Sequence, residues 1–593
     1  METNVTRDSN GNAVTDNAVT GNTVNTANTV TGNTVNTANT VTGNTVNAAN
    51  TVTVQPVAKT YRTLNSILES AAYDTMASFP DLMHAEPEEV ENVFLDMARN
   101  ALVMENSRRG TGDKFKYPQC IPNSIIALFM MNMYYIVKLS FNGKQESDSC
   151  FLSIYQEDGE GEGTYTWSDD VFYKIIMRFN HTITVKGMEE VKRILAIKAP
   201  LMYPCEDRDL VAVGNGLFNY ATKELLPFTP DKIFYTKSPI NYNENATNVL
   251  IHNDEDGTDW SPEIFFEDMS DDPGVRKLLW QIVSATLRTN VNFKKSAWLY
   301  SSSGCNAKGT FIEMLRGLLG EDNTASIPLS EMSSEFKLAT LLTATSNLVD
   351  ENDVGTYIDK CANLKAMITK DVITINRKYK QPVTYRFRGF MVQCLNEMPR
   401  IKDKSDSFFR RQIFIPFTKC FTGSEREYIK EDYIKRKDVL EYILYKALNT
   451  NFYTFDIPEV CQNALEEYKE YVDPVRSFCE EILPQCTWSL LPFSFLYDLY
   501  VSWSHRTNPN GTVQGRNTFI NDVLNVIKNS DTWECEDKRK KVNTGDKMDN
   551  PEPLIAEYDL TKWMNRLYHG PSLTRLCSPT VSDSYRGLVR KGK

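Results

Sequence analysis

Hydrophobic positions recur at helical and strand spacing from about residue 60 to the end of the chain. Three- and four-residue intervals predict helices over Leu64–Met76 and Glu88–Leu102, and Pro87 suits the opening turn of the second. Pro122–Met133 is apolar on all sides and reads as a buried helix, with strands expected near Tyr134–Ser140 and Cys150–Tyr155. Four later runs are short, continuous and apolar, the pattern of strands covered on both faces: one ending at Tyr300, one within Thr345–Val349, one within Gly389–Leu395 and one after Arg411. Between them, Phe311, Met314, Leu315, Leu318 and Leu319 mark a helix, and alternation at Val372, Thr374 and Asn376 marks a strand that leads through a basic tip into a second (Val383, Tyr385, Phe387). Glu425–Leu448 is a charged helical stretch, and helices are expected over Phe493–Trp503 and from Gly515 through Ile527.

Residues 1–55 break this pattern. They repeat Thr, Asn, Val, Ala and Gly with a period of 11 marked by Gly21, Gly32 and Gly43. Without aromatic or leucine residues the segment cannot bury enough surface to fold alone, and it is expected to be disordered, with a thin β-solenoid as the alternative. It lacks the basic and apolar regions of a signal peptide.

The strand ending at Tyr300 runs into Ser301-Ser-Ser303-Gly304-Cys305-Asn306-Ala307-Lys308-Gly309-Thr310, and then into the helix. Small residues, one lysine and a helix N-terminus form a layout that cradles phosphate oxygens through backbone N–H groups and a cation. Ser302 and Ala307 stand at the usual glycines, and Gly309 stands where a metal-binding Ser or Thr is usual. Alone, the loop reads equally as a Ser/Gly turn before an ordinary helix. The following segments break the tie. Asp350 and Glu351 close one strand, a pair suited to hold a metal shell and orient an attacking water. Asn396 closes the next, where ligands of open α/β sheets bind. Arg410 and Arg411 precede the last, able to reach a neighbouring subunit's nucleotide.

In this order these residues resemble the phage/plasmid primase–helicase family, whose core is a superfamily 3 helicase of the AAA+ class and to which the poxvirus primase–helicase is related. The likeness covers residues 206–420 and rests on Gly304, Asn306, Lys308, Asp350, Glu351, Asn396, Arg410, Arg411, Pro416 and Phe417, and on the Val213–Tyr220 segment upstream. The resemblance implies an ATP-dependent DNA helicase that forms a homo-hexameric ring around DNA. It implies that residues 303–310 bind ATP, that Thr310 and Asp350 help hold Mg²⁺, that Glu351 positions water, that Asn396 senses the γ-phosphate, and that Arg410 or Arg411 acts on the next subunit.

The net charge of −12 does not suggest a nucleic-acid partner, but residues 360–411 carry thirteen Lys and Arg against four acids. Within them Lys365, Arg377, Lys378, Tyr379 and Lys380 are candidate DNA contacts, the last four at the hairpin tip that the family points into its channel. The alternative is an edge hairpin protected by charge. Residues 471–560 resemble a winged helix, with Arg516 and Asn517 opening one helix and Lys538, Arg539, Lys540 and Lys541 as a wing, suited to duplex DNA at a replication origin.

Twelve cysteines show no C-x-x-C pair and no histidine at zinc spacing. No apolar run reaches membrane-spanning length. Residues 60–205 lack an evident primase motif. The expectation is therefore an α/β protein with an N-terminal mixed domain (60–205), a pre-helicase segment with collar helices (206–290), an AAA+-type phosphate-loop core (291–420), a helical lid or connector (421–470), a winged helix (471–560) and a tail (561–593). It would act in the cytoplasm of a bacterial host, replicating a phage, plasmid or integrated element with host or element replication proteins. Two alternatives stay open: an ATP-binding initiator without strong unwinding, and a bifunctional primase–helicase.

Overall fold

Five parallel strands organise the centre of the molecule. In chain order they are β1 (Ser296–Tyr300), β2 (Thr324–Ala325), β3 (Ser346–Val349), β6 (Phe390–Leu395) and β7 (Gln412–Pro416). An antiparallel hairpin, β4 (Val372–Arg377) and β5 (Lys380–Arg386), is inserted between the third and fourth. The sheet order is β2-β3-β6-β1-β7, with every neighbouring pair parallel. The computed structural model describes residues 61–141, 150–334, 336–353, 355–378, 380–423, 426–507, 513–528 and 530–592. The repeats of residues 1–55 and Tyr379 therefore lie outside the described residues, as does the side chain of Lys380.

The continuous apolar runs arise because both faces of this sheet are covered. Ala297 and Leu299 of β1, Val392 and Cys394 of β6, and Ile413 and Ile415 of β7 pack on one face with helix α1 (Lys308–Leu319) and the helices Pro273–Leu287 and Lys437–Asn449. Trp298, Met391, Leu395 and Phe414 point the other way, with Tyr468 of helix Glu459–Val472 stacked 5.0 Å from Phe414. The two-residue period thus sorts side chains between two cores.

The N-terminal part follows its periodicity closely. Helices span Leu64–Ser78, Pro87–Asn106 and Asn123–Met133, and strands span Ile136–Ser140 and Cys150–Tyr155. Val90, Phe94, Ala98 and Leu102, four residues apart, are all 0% exposed. Helices Asp169–Phe179 and Val185–Lys198 complete this layer.

The C-terminal part has its own core around Trp488, Phe495, Leu499, Phe519, Val523 and Leu588. Helices Pro474–Ile482, Phe493–Thr507 and Arg516–Ile527 pack on a three-stranded sheet of Leu490–Pro492, Gly587–Arg590 and Trp533–Glu534. Residues 561–593, expected as a tail, supply the middle strand of that sheet, so the domain extends to at least Arg590. The reason is the pairing of Leu588 with Leu491 and of Val589 with both Leu490 and Glu534, which a four-residue strand far along the chain does not announce. Lys404 of the core ties this part down, reaching Asp473 at 3.3 Å and Asp522 at 3.4 Å.

Candidate functional site

Because all five strands run the same way, the segments that follow β1, β3 and β6 emerge at one edge of the sheet. The loop after β1 carries residues 301–307 into α1, Asp350 directly follows β3, and Asn396 directly follows β6. The edge opens into a cleft of about 700 Å³, lined by Gly304–Thr310, Asp350, Glu351 and Asn396. Most of the residues expected to handle a phosphate ligand are therefore brought together from three separate segments, Ser303 lying in the same loop.

The loop is held in an open curve by its own bonds. Asn306 Nδ2 donates to the Ser303 carbonyl at 2.6 Å, and the Phe421 amide donates to the Cys305 carbonyl at 2.7 Å. Cys305 (φ 53°) and Ala307 (φ 62°) both adopt the left-handed conformation, which costs non-glycine residues of order 1 kcal/mol or more. Two such residues around Asn306, just before the free N–H groups of α1, make a concave run of donors suited to an anion.

Lys308 is only 5% exposed. Its ammonium donates to Asn396 Oδ1 at 2.8 Å and to the Leu395 carbonyl at 3.1 Å. Burial lowers its pKa, with Cys394 and Asp350 acting the other way. Asp350 lies against the first turn of α1. A Cβ on Gly309 would sit 3.0 Å from Asp350 Oδ1 and 3.1 Å from Oδ2. Gly309 thus departs from the usual Ser or Thr for a steric reason: the carboxylate occupies that space. Nothing lies within 4 Å of a Cβ built on Gly304.

Asn352 was not singled out by motif, yet it fixes the acidic turn. It is 4% exposed, accepts from the Leu329 amide at 2.8 Å, and donates to Gln393 Oε1 at 3.1 Å and the Cys394 carbonyl at 3.0 Å. The opposite wall was also illegible. Trp260, Phe265, Phe421 and Ile429 give it an apolar surface, and Asp268, Arg426, Glu427 and Lys430 give it charge. Arg426 to Lys430 open the stretch read as a lid, whose described helices are Glu427–Glu431 and Lys437–Asn449. These wall residues come from separate segments with no spacing in common.

Comparison with known proteins accords with this arrangement. Residues 299–411 match a family of unknown function (DUF5906), and residues 470–563 match the poxvirus D5 protein-like family. Over 227 residues the chain is 24% identical to a putative helicase of Acanthamoeba polyphaga mimivirus. Over these segments the chain is similar to phage and viral primase–helicases. The mimivirus match covers 36% of this chain and 22% of that protein, so the chain spans about a fifth of the curated relative it matches. Apo structures of the NrS-1 C-terminal region share 11% identity at TM-scores of 0.37 and 0.38, covering 68% and 74% of this chain and 87% and 92% of theirs, a likeness too low to carry an argument. The expected bacterial host finds no support, since the relative with a stated source is viral. Among the described residues no helix is long and apolar enough to cross a membrane.

Other residues expected of a primase–helicase lie elsewhere. Arg410 and Arg411 precede β7, at the opposite edge of the sheet from the cleft. Lys365 is 2.5 Å from Asp403. Arg377 donates to the Gln381 carbonyl, while Lys378 is exposed at the hairpin tip. In the C-terminal part Arg516, Asn517 and Lys538 to Lys541 are all exposed, and Lys538 reaches Asn521 of the Arg516–Ile527 helix at 2.8 Å, which sets the two basic groups side by side.

Proposed function

We propose that the protein is an ATP-driven DNA helicase of viral genome replication, working as a ring of six copies. The observation that carries this reading is the convergence of Lys308, Asp350, Glu351 and Asn396 on one loop and one helix N-terminus at the carboxyl edge of the parallel sheet. The residues suit MgATP. Loop amides and Lys308 would hold the β- and γ-phosphates. Among the described residues no three His, Cys, Asp or Glu side chains cluster tightly enough to bind a metal alone. That accords with Mg²⁺, which takes one or two protein ligands and completes its shell with phosphate and water; Asp350 and Thr310 would be those ligands.

Bound MgATP supplies the phosphoanhydride and a neutralising cation. The chain supplies position and charge. Glu351, exposed beside the cleft, orients the attacking water. Asn396 holds the Lys308 ammonium and would exchange that bond for a γ-phosphate contact. Arg410 and Arg411 stand about 16 Å away, at roughly 3.3 Å for each of the five residues of β7, which suits action on a neighbouring copy. Lys378 on the hairpin, and Arg516 with the Lys538–Lys541 group, would meet single- and double-stranded DNA respectively.

ATP hydrolysis by the full chain, with and without single-stranded DNA and beside Lys308→Ala, tests this. DNA-stimulated turnover that disappears in the variant is expected. Tight ATP binding without turnover would instead select an initiator that uses ATP as a switch. That reading draws support from the Lys308–Asn396 bond, which phosphate binding must break. Primer synthesis from ribonucleotides would select the bifunctional alternative.

A further inference from the structure

A second cavity, of about 430 Å³, opens between the N-terminal layer, the short helix Lys337–Thr343 and the tip end of β4. Its size falls in the range of small-ligand sites. Phe151 and Trp167 form one wall, Leu342 and Thr343 at the end of the short helix Lys337–Thr343 form another, and Arg377 from the end of β4 closes the side toward the hairpin tip.

The walls are firmly seated. The Phe151 and Trp167 rings are 5.0 Å apart, and both pack on Phe141, which in turn contacts Tyr235 and Tyr385 at 5.0 and 5.1 Å. Tyr385 belongs to β5, so the N-terminal layer and the hairpin share one aromatic cluster. The Arg377 guanidinium lies 5.3 Å from the Phe151 ring centre. Charge in the cavity is unbalanced: Lys192 is cancelled by Asp169 at 2.5 Å, whereas among the described residues no carboxylate lies within 4.0 Å of Arg377. One net positive charge remains, next in sequence to exposed Lys378.

Aromatic faces beside a guanidinium, continuous with a basic tip, are the chemistry that holds an unstacked base and its phosphate. We propose that this slot receives one base of a single DNA strand whose backbone passes over the hairpin tip. The proposal rests on the DNA reading above, and it makes the N-terminal layer part of the DNA grip. Such a slot reads the flat face common to all bases, so binding should tolerate any sequence.

Photo-crosslinking of the full chain to a thymidine oligonucleotide carrying 5-iodouracil tests it. Crosslinks are expected on the peptides holding Phe151 or Trp167. Thr343→Trp, which plugs the slot from an exposed rim position, should reduce them at least about fivefold. Should that variant unfold, Arg377→Gln serves, with about threefold weaker binding and a smaller salt slope expected. If the chain binds the oligonucleotide but crosslinks map only to other segments, or persist undiminished in Thr343→Trp, the slot is wrong and the helicase reading stands. If no single-stranded DNA binds at all, the helicase reading fails and the slot with it.

Discussion

The cleft and the basic segment of residues 360–411 make an instructive pair. Each is a cluster of chemistry-bearing residues in the sequence, yet folding treats them oppositely. Lys308, Asp350 and Asn396 are spread over almost ninety residues and meet because parallel strands release them at one edge. The thirteen cations of the basic segment are close in sequence and are dispersed. Lys365 pairs with Asp403, Lys402 with Asp359, Arg388 with Glu206, and Lys404 with Asp473 and Asp522. Lys370 is half-buried, its ammonium donating to the Thr289 and Val291 carbonyls. Closeness in sequence therefore does not gather these cations into one free surface, whereas strand-end position does gather the cleft residues.

The comparison breaks most visibly at Lys308. Lys308→Ala should lower ATP turnover by about 10² to 10³, the usual loss for one preorganised charge-stabilising donor. A loss under tenfold in steady-state turnover would remove the cleft from the chemistry. Next comes Asn352. Asn352→Ala leaves the Leu329 amide and the Cys394 carbonyl without their side-chain partner in a buried site, and should cost about 2–6 kcal/mol, since each orphaned group costs about 1–3. Chemical denaturation measures this, and a cost near zero would mean that the acidic turn is held by something else.

Lys370 tests the other region. Burial lowers its pKa to about 7, against about 10.4 in an unfolded chain. Between those values the unfolded state binds the extra proton, so stability must rise with pH. Relative to Lys370→Met, the wild type should gain roughly 2 kcal/mol between pH 7 and 9, at no more than about 1.4 per pH unit. Parallel denaturation curves for the two proteins across that window would show that the lysine stays charged. Gly309→Ser sharpens the cleft again. Restoring the usual residue should reduce turnover about tenfold rather than raise it, because roughly 1–3 kcal/mol of overpacking would fall on the Asp350 carboxylate. Increased turnover would show that Asp350 moves aside.

Legibility followed the same division. The convergence of residues 304–310, the two acids and Asn396 was readable because each sits at a strand end or helix start, where periodicity changes. Trp260, Asp268 and Arg426 were not, because a wall assembled from separate segments leaves no spacing to find. Asn352 carried a faint signal, a third polar residue following Asp350 and Glu351 after a buried strand. Gly587–Arg590 was hidden by length: four residues cannot show alternation strongly enough to distinguish a strand from a tail. The hairpin was visible in the alternation at Val372, Thr374 and Asn376, but on its first strand the buried face is the other one, Ile373 and Ile375, which with Val383 and Tyr385 are no more than 5% exposed; the aromatic cluster of the N-terminal layer against which it packs was not visible.

The smallest effect is the one that decides whether the basic segment has any share in the function. With so many of its cations committed, Lys378 is the described tip residue whose exposure leaves it available to a phosphate. Lys378→Ala should weaken single-stranded DNA binding only about threefold at physiological salt, and should lower the slope of log affinity against log salt by about 0.7, the loss expected for one phosphate contact on a single strand. ATP affinity in the absence of DNA should not change, since the tip lies outside the cleft. Fluorescence anisotropy over a salt series separates this from a folding defect, which would change affinity without changing the slope. An unchanged slope would assign the hairpin tip to solvent and leave DNA recognition to the C-terminal basic group beside Arg516.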